Sequence, residues 1–187
     1  MNVLNFLLQV DNVLPVTTCN QLIKIFEESG HKERLERGGY PNWTNLFLCE
    51  HYPRIDQKLS HTFLEVAHKY REWLGEYGQY YTSTEFVLEG SNIKKYVGGT
   101  DDMYKRHADV ACDSTSGRFL ALLFYLNDDF EGGETIFYPD CVIRPKKGSV
   151  LVFPPYWMFP HEGTPVIKGE KYIMSNYCRW NSDVDNG

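Results

Sequence analysis

The segment Arg118–Tyr138, RFLALLFYLNDDFEGGETIFY, decides the fold class. Its apolar run Phe119–Leu126 is far too short to span a bilayer and is typical of a buried strand. A polar stretch with two glycines follows and indicates a turn. TIFY then resumes as a run of β-branched and aromatic residues, which favours a second strand. The segment therefore predicts short strands separated by a glycine-containing turn.

The same pattern continues on both sides of this segment, from about Tyr80 to the end of the chain. Close turns separate further β-rich runs: TEFVL, IKKYV, VIRP, SVLVF, TPVI and KYIMSNYCRW. Many short strands with close turns are typical of a sandwich or barrel. The expected fold class is α+β and mostly β, with an antiparallel double-sheet core of the double-stranded β-helix (jelly-roll or cupin-like) type.

Before Tyr80 the apolar residues recur at helical spacing instead. PVTTCNQLIKIFEESG predicts a helix with Thr17 or Thr18 as N-cap and Gly30 as its stop. RIDQKLSHTFLEVAHKYREWLGEYG predicts a longer helix that ends near Gly75 or Gly78. We expect these helices to pack on the larger sheet. No repeat, low-complexity tract or linker is evident, so a single domain over 1–187 is expected, with a helical support region at 1–79 and the β core at 80–181.

Composition narrows the classes of protein. The chain has 187 residues, 42% hydrophobic and 15% aromatic, which is typical of a globular domain and not of a disordered one. Its net charge of −6 disfavours nucleic-acid binding, and local pairs such as Lys94-Lys95 are expected to be solvated surface. The N-terminal stretch resembles neither a signal peptide nor a membrane span. Five widely spaced cysteines without a C-x-x-C motif favour a reduced cytoplasmic protein.

Three polar residues form a candidate metal site. His107 and Asp109 are two positions apart, so on a strand both side chains point to the same face. His161 follows a strand and turn, and Lys171 opens the last long strand. Two histidines and one carboxylate form the facial triad of non-haem Fe(II) oxygenases. Each residue taken alone is more typical of a polar surface or turn position.

The longer motif resembles a known family. From about Ile93 to Trp180 the pieces YVGGTDDMYKRHAD, RFLALLFYLNDDFEGGETIFY, VIRPKKGSVLVFP and HEGTPVIKGEKY stand in order. Together they resemble the prolyl 4-hydroxylase-like branch of the 2-oxoglutarate/Fe(II)-dependent dioxygenases, in its compact bacterial and phage form. The opening, FLLQVDNVLPVTTCNQLIK, is also similar to the family's first strand and helix.

The resemblance implies a role for each matching residue. His107, Asp109 and His161 would bind iron, and Lys171 would pair with the C5 carboxylate of 2-oxoglutarate. Four further residues match positions that line the co-substrate and substrate pocket: Tyr96, Tyr104, Thr135 and Tyr177. All four are also compatible with ordinary core, rim or strand positions. Family members often have tryptophan at the Tyr177 position, and a tyrosine there changes the packing or adds a hydrogen bond.

The implied cofactors are Fe(II), 2-oxoglutarate and O2, with ascorbate as an accessory. The implied reaction is decarboxylation of 2-oxoglutarate to succinate, coupled to hydroxylation of a C–H bond. The expected substrate is proline in a peptide or protein, with a free amino acid or another small molecule as the alternative. Neither nucleic acid nor membrane is expected as a partner, and the expected state is a monomer or weak dimer, bacterium- or phage-encoded.

Other classes of protein remain open from the residues alone. A non-catalytic metal-binding jelly-roll module would not turn over 2-oxoglutarate. A hydrolytic metalloenzyme would want a general base beside an activated water. The turn-rich segment Leu35–Pro53 is either a mobile substrate lid or a packed connection.

Overall fold

The computed structural model describes residues 3–37, 40–80, 86–138 and 140–181. The helices are α1 (Val16–Glu28), α2 (Leu48–His51) and α3 (Pro53–Trp73), with 3-10 turns at Val3–Phe6, Gly75–Tyr80 and Asp113–Thr115. The strands are β1 (Leu8–Val10), β2 (Glu33–Arg37), β3 (Tyr40–Phe47), β4 (Phe86–Leu88), β5 (Asn92–Val97), β6 (Tyr104–His107), β7 (Arg118–Tyr125), β8 (Glu131–Gly132), β9 (Thr135–Phe137), β10 (Cys141–Ile143), β11 (Val150–Phe153), β12 (His161–Gly163), β13 (Val166–Lys168) and β14 (Glu170–Trp180).

Two antiparallel sheets form the β core. The larger sheet has eight strands within the described residues, in the order β1-β11-β7-β14-β5-β3-β2, and β4 also pairs with β14. The smaller sheet has the order β10-β9-β12-β6, and β8 and β13 form a two-stranded ribbon. This arrangement confirms the predicted mostly-β jelly-roll class. In the predicted run TEFVL, only the part from Phe86 onward lies within the described residues.

The helices cover one face of the larger sheet, as the amphipathic patterns predict. Phe26 of α1 makes an edge-to-face contact with Tyr172 at 5.7 Å between ring centroids. The ring of Phe63 on α3 lies 5.1 Å from that of Phe124 on β7. Burial of each such side chain stabilises the fold by about 1.5–3 kcal/mol. The opposite face of the sheet is thereby left to form the cavity between the two sheets.

The start of α1 differs from the expectation. The helix begins at Val16, its N-cap position is Pro15, and no side-chain hydrogen bond caps it. Thr17 and Thr18 therefore lie inside the first turn, and the prediction that one of them is the N-cap was wrong. Proline suits this position because its fixed φ is compatible with entry into a helix. The end of α3 at Trp73, just before Gly75, agrees with the predicted stop.

The N-terminal region is not only a helical support. It contributes β1, which pairs with β11, and the β2–β3 hairpin, which extends the larger sheet beyond β5. The hairpin was not predicted, because its polar residues hide the two-residue alternation of a half-buried strand. Along β3, Trp43 is buried toward the cavity and Leu46 toward the helices.

The hairpin is anchored at its base. Arg34 forms a salt bridge with Asp102, whose carboxylate is 1% exposed and also accepts a hydrogen bond from the Val97 N–H at 2.9 Å. For residues 40–53 this packing favours a packed connection over a lid, and residues 38 and 39 lie outside the described part. Across the described chain, no helix is both long and apolar enough to cross a bilayer.

Candidate metal and co-substrate site

Strand pairing in the smaller sheet brings the two histidines together. His107, at the end of β6, is the register partner of His161, at the start of β12. Asp109 lies just beyond β6, in the bend that follows it, and not on the strand itself as the i, i+2 spacing had suggested. One ligand atom from each of the three residues lies within 4.8 Å of the others. The triad that the sequence predicts is therefore a geometric cluster.

The second ring nitrogen of each histidine fixes its orientation. His107 Nδ1 lies 2.8 Å from the Lys105 carbonyl oxygen, and His161 Nδ1 lies 3.1 Å from the Phe159 carbonyl oxygen. A carbonyl can only accept, so each Nδ1 carries the proton and each Nε2 presents a lone pair to the cluster. Two neutral imidazoles and one carboxylate suit a divalent transition metal such as Fe(II). The donor set thus fits the metal.

Asp109 is held in its charged form. Tyr177 donates a hydrogen bond from its hydroxyl to Asp109 Oδ1 at 3.0 Å. Burial acts to raise the pKa of Asp109, but the opposing effects of His161, His107 and Lys94 hold that pKa well below its usual range. Of the two consequences expected for a tyrosine at position 177, the structure has the added hydrogen bond.

Lys171 is a buried cation at the other end of the same cavity. The residue is 4% exposed, and its Nζ donates to the Gly133 carbonyl oxygen at 2.6 Å. Gly133 has φ +69°, and a Cβ there would come within 3.1 Å of the lysine Cδ, so the glycine permits the close approach. Burial lowers the pKa of Lys171 to about 8. No carboxylate of the described residues forms a salt bridge with this ammonium group.

Aromatic and hydroxyl groups surround that lysine. Its Nζ lies 5.6 Å from the Tyr96 ring centroid and 5.8 Å from that of Tyr125. The Tyr125 hydroxyl lies 2.8 Å from Thr135 Oγ1, and both side chains are buried. This end of the cavity therefore offers a bound carboxylate a cation and the hydroxyl of Thr135, which Tyr125 holds from behind the cavity wall.

One cavity of about 580 Å³ connects the metal-ligand cluster with Lys171. All eight side chains singled out from the sequence line it: Tyr96, Tyr104, His107, Asp109, Thr135, His161, Lys171 and Tyr177. Tyr104 stands at the metal end, with its ring 3.8 Å from the His107 ring and 4.8 Å from that of Trp43.

Sequence reasoning missed three neighbours of the site. The sequence pattern places Tyr125 only within a buried strand and gives it no role in the site. Arg118 holds Glu89 through two nitrogens, and its guanidinium stacks on the Tyr177 ring at 3.8 Å. Lys94 lines the cavity, and burial lowers its pKa to about 8.

The expectation that Lys94-Lys95 is solvated surface was therefore wrong. Lys95 points to the helical face and pairs with Glu27 at 2.9 Å and Glu170 at 2.8 Å. The alternation of side chains along β5 could have identified Lys94 as a cavity residue, because Lys94 and Tyr96 share a face of the strand.

Comparisons with known proteins agree with this geometry. Residues 91–179 match the family model of the 2OG-Fe(II) oxygenase superfamily. Over 121 residues the chain is 32% identical to a probable prolyl 4-hydroxylase 9 of Arabidopsis thaliana, a match that covers 49% of this chain and 41% of that protein. The chain thus spans about two fifths of the length of that relative.

Two solved structures share the fold. The viral collagen prolyl hydroxylase of Paramecium Bursaria Chlorella virus-1, in complex with 2OG, superposes with a TM-score of 0.70 at 23% identity, covering 94% of this chain and 97% of that one. A prolyl hydroxylase of Trichoplax adhaerens, in complex with a peptide fragment of the hypoxia inducible factor oxygen degradation domain, superposes with a TM-score of 0.75 at 19% identity, covering 94% and 84%.

Proposed function

Residues 91–179 form a domain of the 2OG-Fe(II) oxygenase superfamily, and from this premise we propose that the protein hydroxylates proline in a peptide or protein. The family uses Fe(II), 2-oxoglutarate and O2. The observation that carries the proposal is the cavity that holds both the His107, Asp109 and His161 cluster and the buried Lys171. A binding module without catalysis has no need for both features in one cavity.

The chain's own residues divide into two holding groups. His107, Asp109 and His161 would hold Fe(II) on one face and leave its other face to the cavity. Lys171 would pair with the C5 carboxylate of 2-oxoglutarate, and Thr135, whose hydroxyl is bonded to that of Tyr125, lines the same cavity. When bound, the iron and its co-substrates supply the oxidation, in which 2-oxoglutarate becomes succinate and CO2 and one oxygen atom enters a C–H bond.

Packing around the metal end holds the His161 ligand in place. The His161 ring packs against both Phe137 and Phe153, with centroid distances of 5.2 and 4.9 Å. His161 is 6% exposed. A ligand whose ring is fixed by packing and by the carbonyl of Phe159 needs little reorganisation on binding the metal. Tyr177 fixes the carboxylate of Asp109 in the same way.

Peptidyl proline is supported by those relatives that are prolyl 4-hydroxylases, whereas other similar proteins, such as procollagen-lysine,2-oxoglutarate 5-dioxygenase 1 of Bos taurus, are named for lysine. The similar proteins include prolyl 4-hydroxylases, and one structural neighbour holds a peptide. A free amino acid as substrate is the alternative. A hydrolytic role has less support, because the cavity-lining carboxylate beside the histidines, Asp109, is already bound into the cluster and leaves no second carboxylate among the described lining residues as general base.

The proposed metal site is tested by titrating the protein with Fe(II) and 2-oxoglutarate without O2, while following the visible charge-transfer band. His107→Ala is expected to abolish the band, and Lys171→Ala to shift it to higher 2-oxoglutarate concentration. His61→Ala is the matched control, because that side chain is 82% exposed on α3. An unchanged band in His107→Ala would contradict the assignment.

The proposed substrate is tested separately. Proline-containing peptides are incubated with the loaded enzyme and O2, and succinate release is compared with a mass increase of one oxygen atom on proline. Succinate release without hydroxylated proline, in every peptide tested, would move the substrate to the alternative class.

A further inference from the structure

We propose that Lys94 binds a carboxylate of the primary substrate, so that the enzyme prefers a proline that carries or adjoins an anionic group. The inference deepens the proposed function and rests on it, because it treats the cavity beside the candidate metal ligands as the place where the substrate docks. Lys94 lies at the end of the cavity opposite Lys171, where none of the residues assigned to 2-oxoglutarate is placed.

Strand register places Lys94 on the cavity face of the larger sheet. It lies opposite Ile173 on β14 and opposite Asn45 on β3, as the next pair on that face after Lys171 and Tyr96. Directly opposite residues in an antiparallel pair project from the same face. Lys94 therefore belongs to the same surface as Lys171 but sits farther along β5, toward Asp109, with which it interacts electrostatically.

The Lys94 ammonium has aromatic neighbours but no acceptor. Its Nζ lies 5.6 Å from the Trp43 ring centroid and 5.4 Å from that of Tyr104. Within the described residues it forms no hydrogen bond or salt bridge, whereas Lys95, the next residue, has two carboxylate partners. An ammonium group has three donors, and a cavity-lining one without an acceptor can receive a ligand anion.

Buried polar atoms without partners surround this position. Trp43 Nε1, Asn45 Nδ2, Ser175 Oγ and Asn92 Oδ1 all lack a hydrogen bond in the part of the chain that the structure describes. Asn45 is 2% exposed, Ser175 is 4% exposed, and Ser175 lines the cavity. The first three atoms donate or can donate, and a carboxylate accepts at both oxygens. Among these residues Ser175 is the one that lines the described cavity, and its hydroxyl can donate to a carboxylate bound by Lys94.

Charge at the loaded site leads to the same ligand. The formal charges of Fe(II), Asp109, the two carboxylates of 2-oxoglutarate and Lys171 cancel. Arg118 is neutralised by Glu89, with Nη2 to Oε2 at 2.7 Å. Lys94 then remains as an uncompensated positive charge next to the space for the substrate. An anionic substrate group would neutralise it, and a cationic one would be repelled.

Three sources can supply that carboxylate to the same ammonium group. An acidic side chain next to the proline, a C-terminal proline and a free amino acid each present one beside the pyrrolidine ring. They differ in how much chain accompanies the carboxylate, so matched probes separate them. The probe pairs are an Asp-flanked and an Asn-flanked peptide, a peptide ending in proline and its amide, and free proline and prolinamide.

The binding experiment uses the full chain loaded with Fe(II) and 2-oxoglutarate without O2. N-acetylproline and N-acetylprolinamide are titrated by calorimetry, together with propionate and propionamide as a pair that contains no proline. We expect at least one carboxylate to bind about tenfold more tightly than its amide, and Lys94→Met to remove that difference. Lys95→Met, which alters the neighbouring lysine on the opposite face, should keep the difference, and thermal melting verifies that both variants are folded.

A charge-reversal variant distinguishes the loss of a specific charge from a general loss of structure at position 94. Lys94→Glu is expected to invert the preference, so that prolinamide or a Lys-flanked peptide binds better than its anionic counterpart. Equal binding of carboxylate and amide in the wild type would overturn the inference. It is also overturned if Lys94→Met weakens 2-oxoglutarate binding as much as Lys171→Met does, because Lys94 would then belong to the co-substrate.

Turnover of the three probe pairs separates the two proposals and identifies the source. Hydroxylated proline without a carboxylate preference leaves the proposed function standing and removes the role of Lys94. A Lys94-dependent carboxylate preference in binding, without any hydroxylated proline, keeps the role of Lys94 and removes proline as the substrate. A preference confined to one of the three pairs names the source of the carboxylate.

Discussion

The two ends of the cavity each carry a lysine, and they differ in how completely their polar groups are satisfied. At the inner end, Lys171 donates to the Gly133 carbonyl, and the Tyr125 and Thr135 hydroxyls bond each other. At the outer end, Lys94 has aromatic neighbours but no hydrogen-bond acceptor among the described residues, and buried donors such as Ser175 Oγ have no partner there.

This difference suggests a different ligand for each end: the co-substrate at the Lys171 end and the substrate at the Lys94 end. A co-substrate that is the same in every turnover can be met by groups already held in place, which limits the cost of binding. The buried donors of the outer end are costly to leave unpaired, at about 1–3 kcal/mol each. Such a cost is tolerated where a ligand removes it, which is why the outer end is suited to be a substrate surface.

The largest expected effect is on 2-oxoglutarate affinity. Lys171→Met removes the inner cation and leaves the C5 carboxylate buried without its partner, which costs about 2–5 kcal/mol, or roughly 30- to 5,000-fold in Kd. Lys94→Met should change the same Kd less than about threefold, because the group lies outside the co-substrate end. Titration of the charge-transfer band measures both values. Equal losses in the two variants would break the distinction between the ends.

A smaller effect is expected on Fe(II) affinity, through the hydrogen bond between Tyr177 and the metal ligand Asp109. Tyr177→Phe deletes the hydroxyl that donates to Asp109 Oδ1 and leaves the ring stacked on Arg118. Loss of such a supporting hydrogen bond typically weakens metal binding about tenfold or somewhat more. Fe(II) affinity measured by competition with a chelator tests it, and Tyr77→Phe, with an exposed side chain remote from the cavity, is the control. An unchanged affinity would mean that packing alone positions Asp109.

The pH dependence of co-substrate binding should report the inner lysine. Its pKa is about 8, and only the protonated ammonium pairs with a carboxylate. Binding should therefore be near its maximum below pH 7 and weaken as pH rises through 8, by about tenfold between pH 7 and pH 9. Glu134 acts to raise this pKa, and the neighbouring Tyr96 and Tyr125 stay neutral because burial raises the pKa of both. A flat profile in the wild type, matching that of Lys171→Met, would assign the pairing to another group.

The metal ligands and the inner lysine could be predicted from sequence, and Lys94 at the outer end could not. His107, Asp109, His161 and Lys171 belong to motifs whose order along the chain is specific, so a resemblance transfers them. Lys94 belongs to no motif. Its alternation with Tyr96 could indicate its face of β5, but its neighbours follow from the register of three strands, one of which lies in the unpredicted β2–β3 hairpin.

The same limit applies to local structure. The apolar spacing of α3 was sufficient, because a long buried face leaves a strong period. The choice of N-cap for α1 failed, because Pro15, Thr17 and Thr18 offer competing starts that only tertiary packing decides between.

The smallest expected effect is on stability, where removal of one hydroxyl group at each end can be compared: Thr135 at the inner end and Ser175 at the outer end. Thr135→Val keeps the shape of the side chain but leaves the buried Tyr125 hydroxyl without its partner at 2.8 Å. The loss should be about 1 kcal/mol in the free energy of unfolding, roughly a fivefold change in the folding equilibrium. Ser175→Ala removes a hydroxyl that has no partner among the described residues, so the substrate-free protein should lose less than about 0.5 kcal/mol or gain stability. Urea unfolding of the two variants measures the difference. If Ser175→Ala proves the more costly substitution, the outer end is already satisfied in the free protein, and its unpaired donors cannot be what a substrate carboxylate completes.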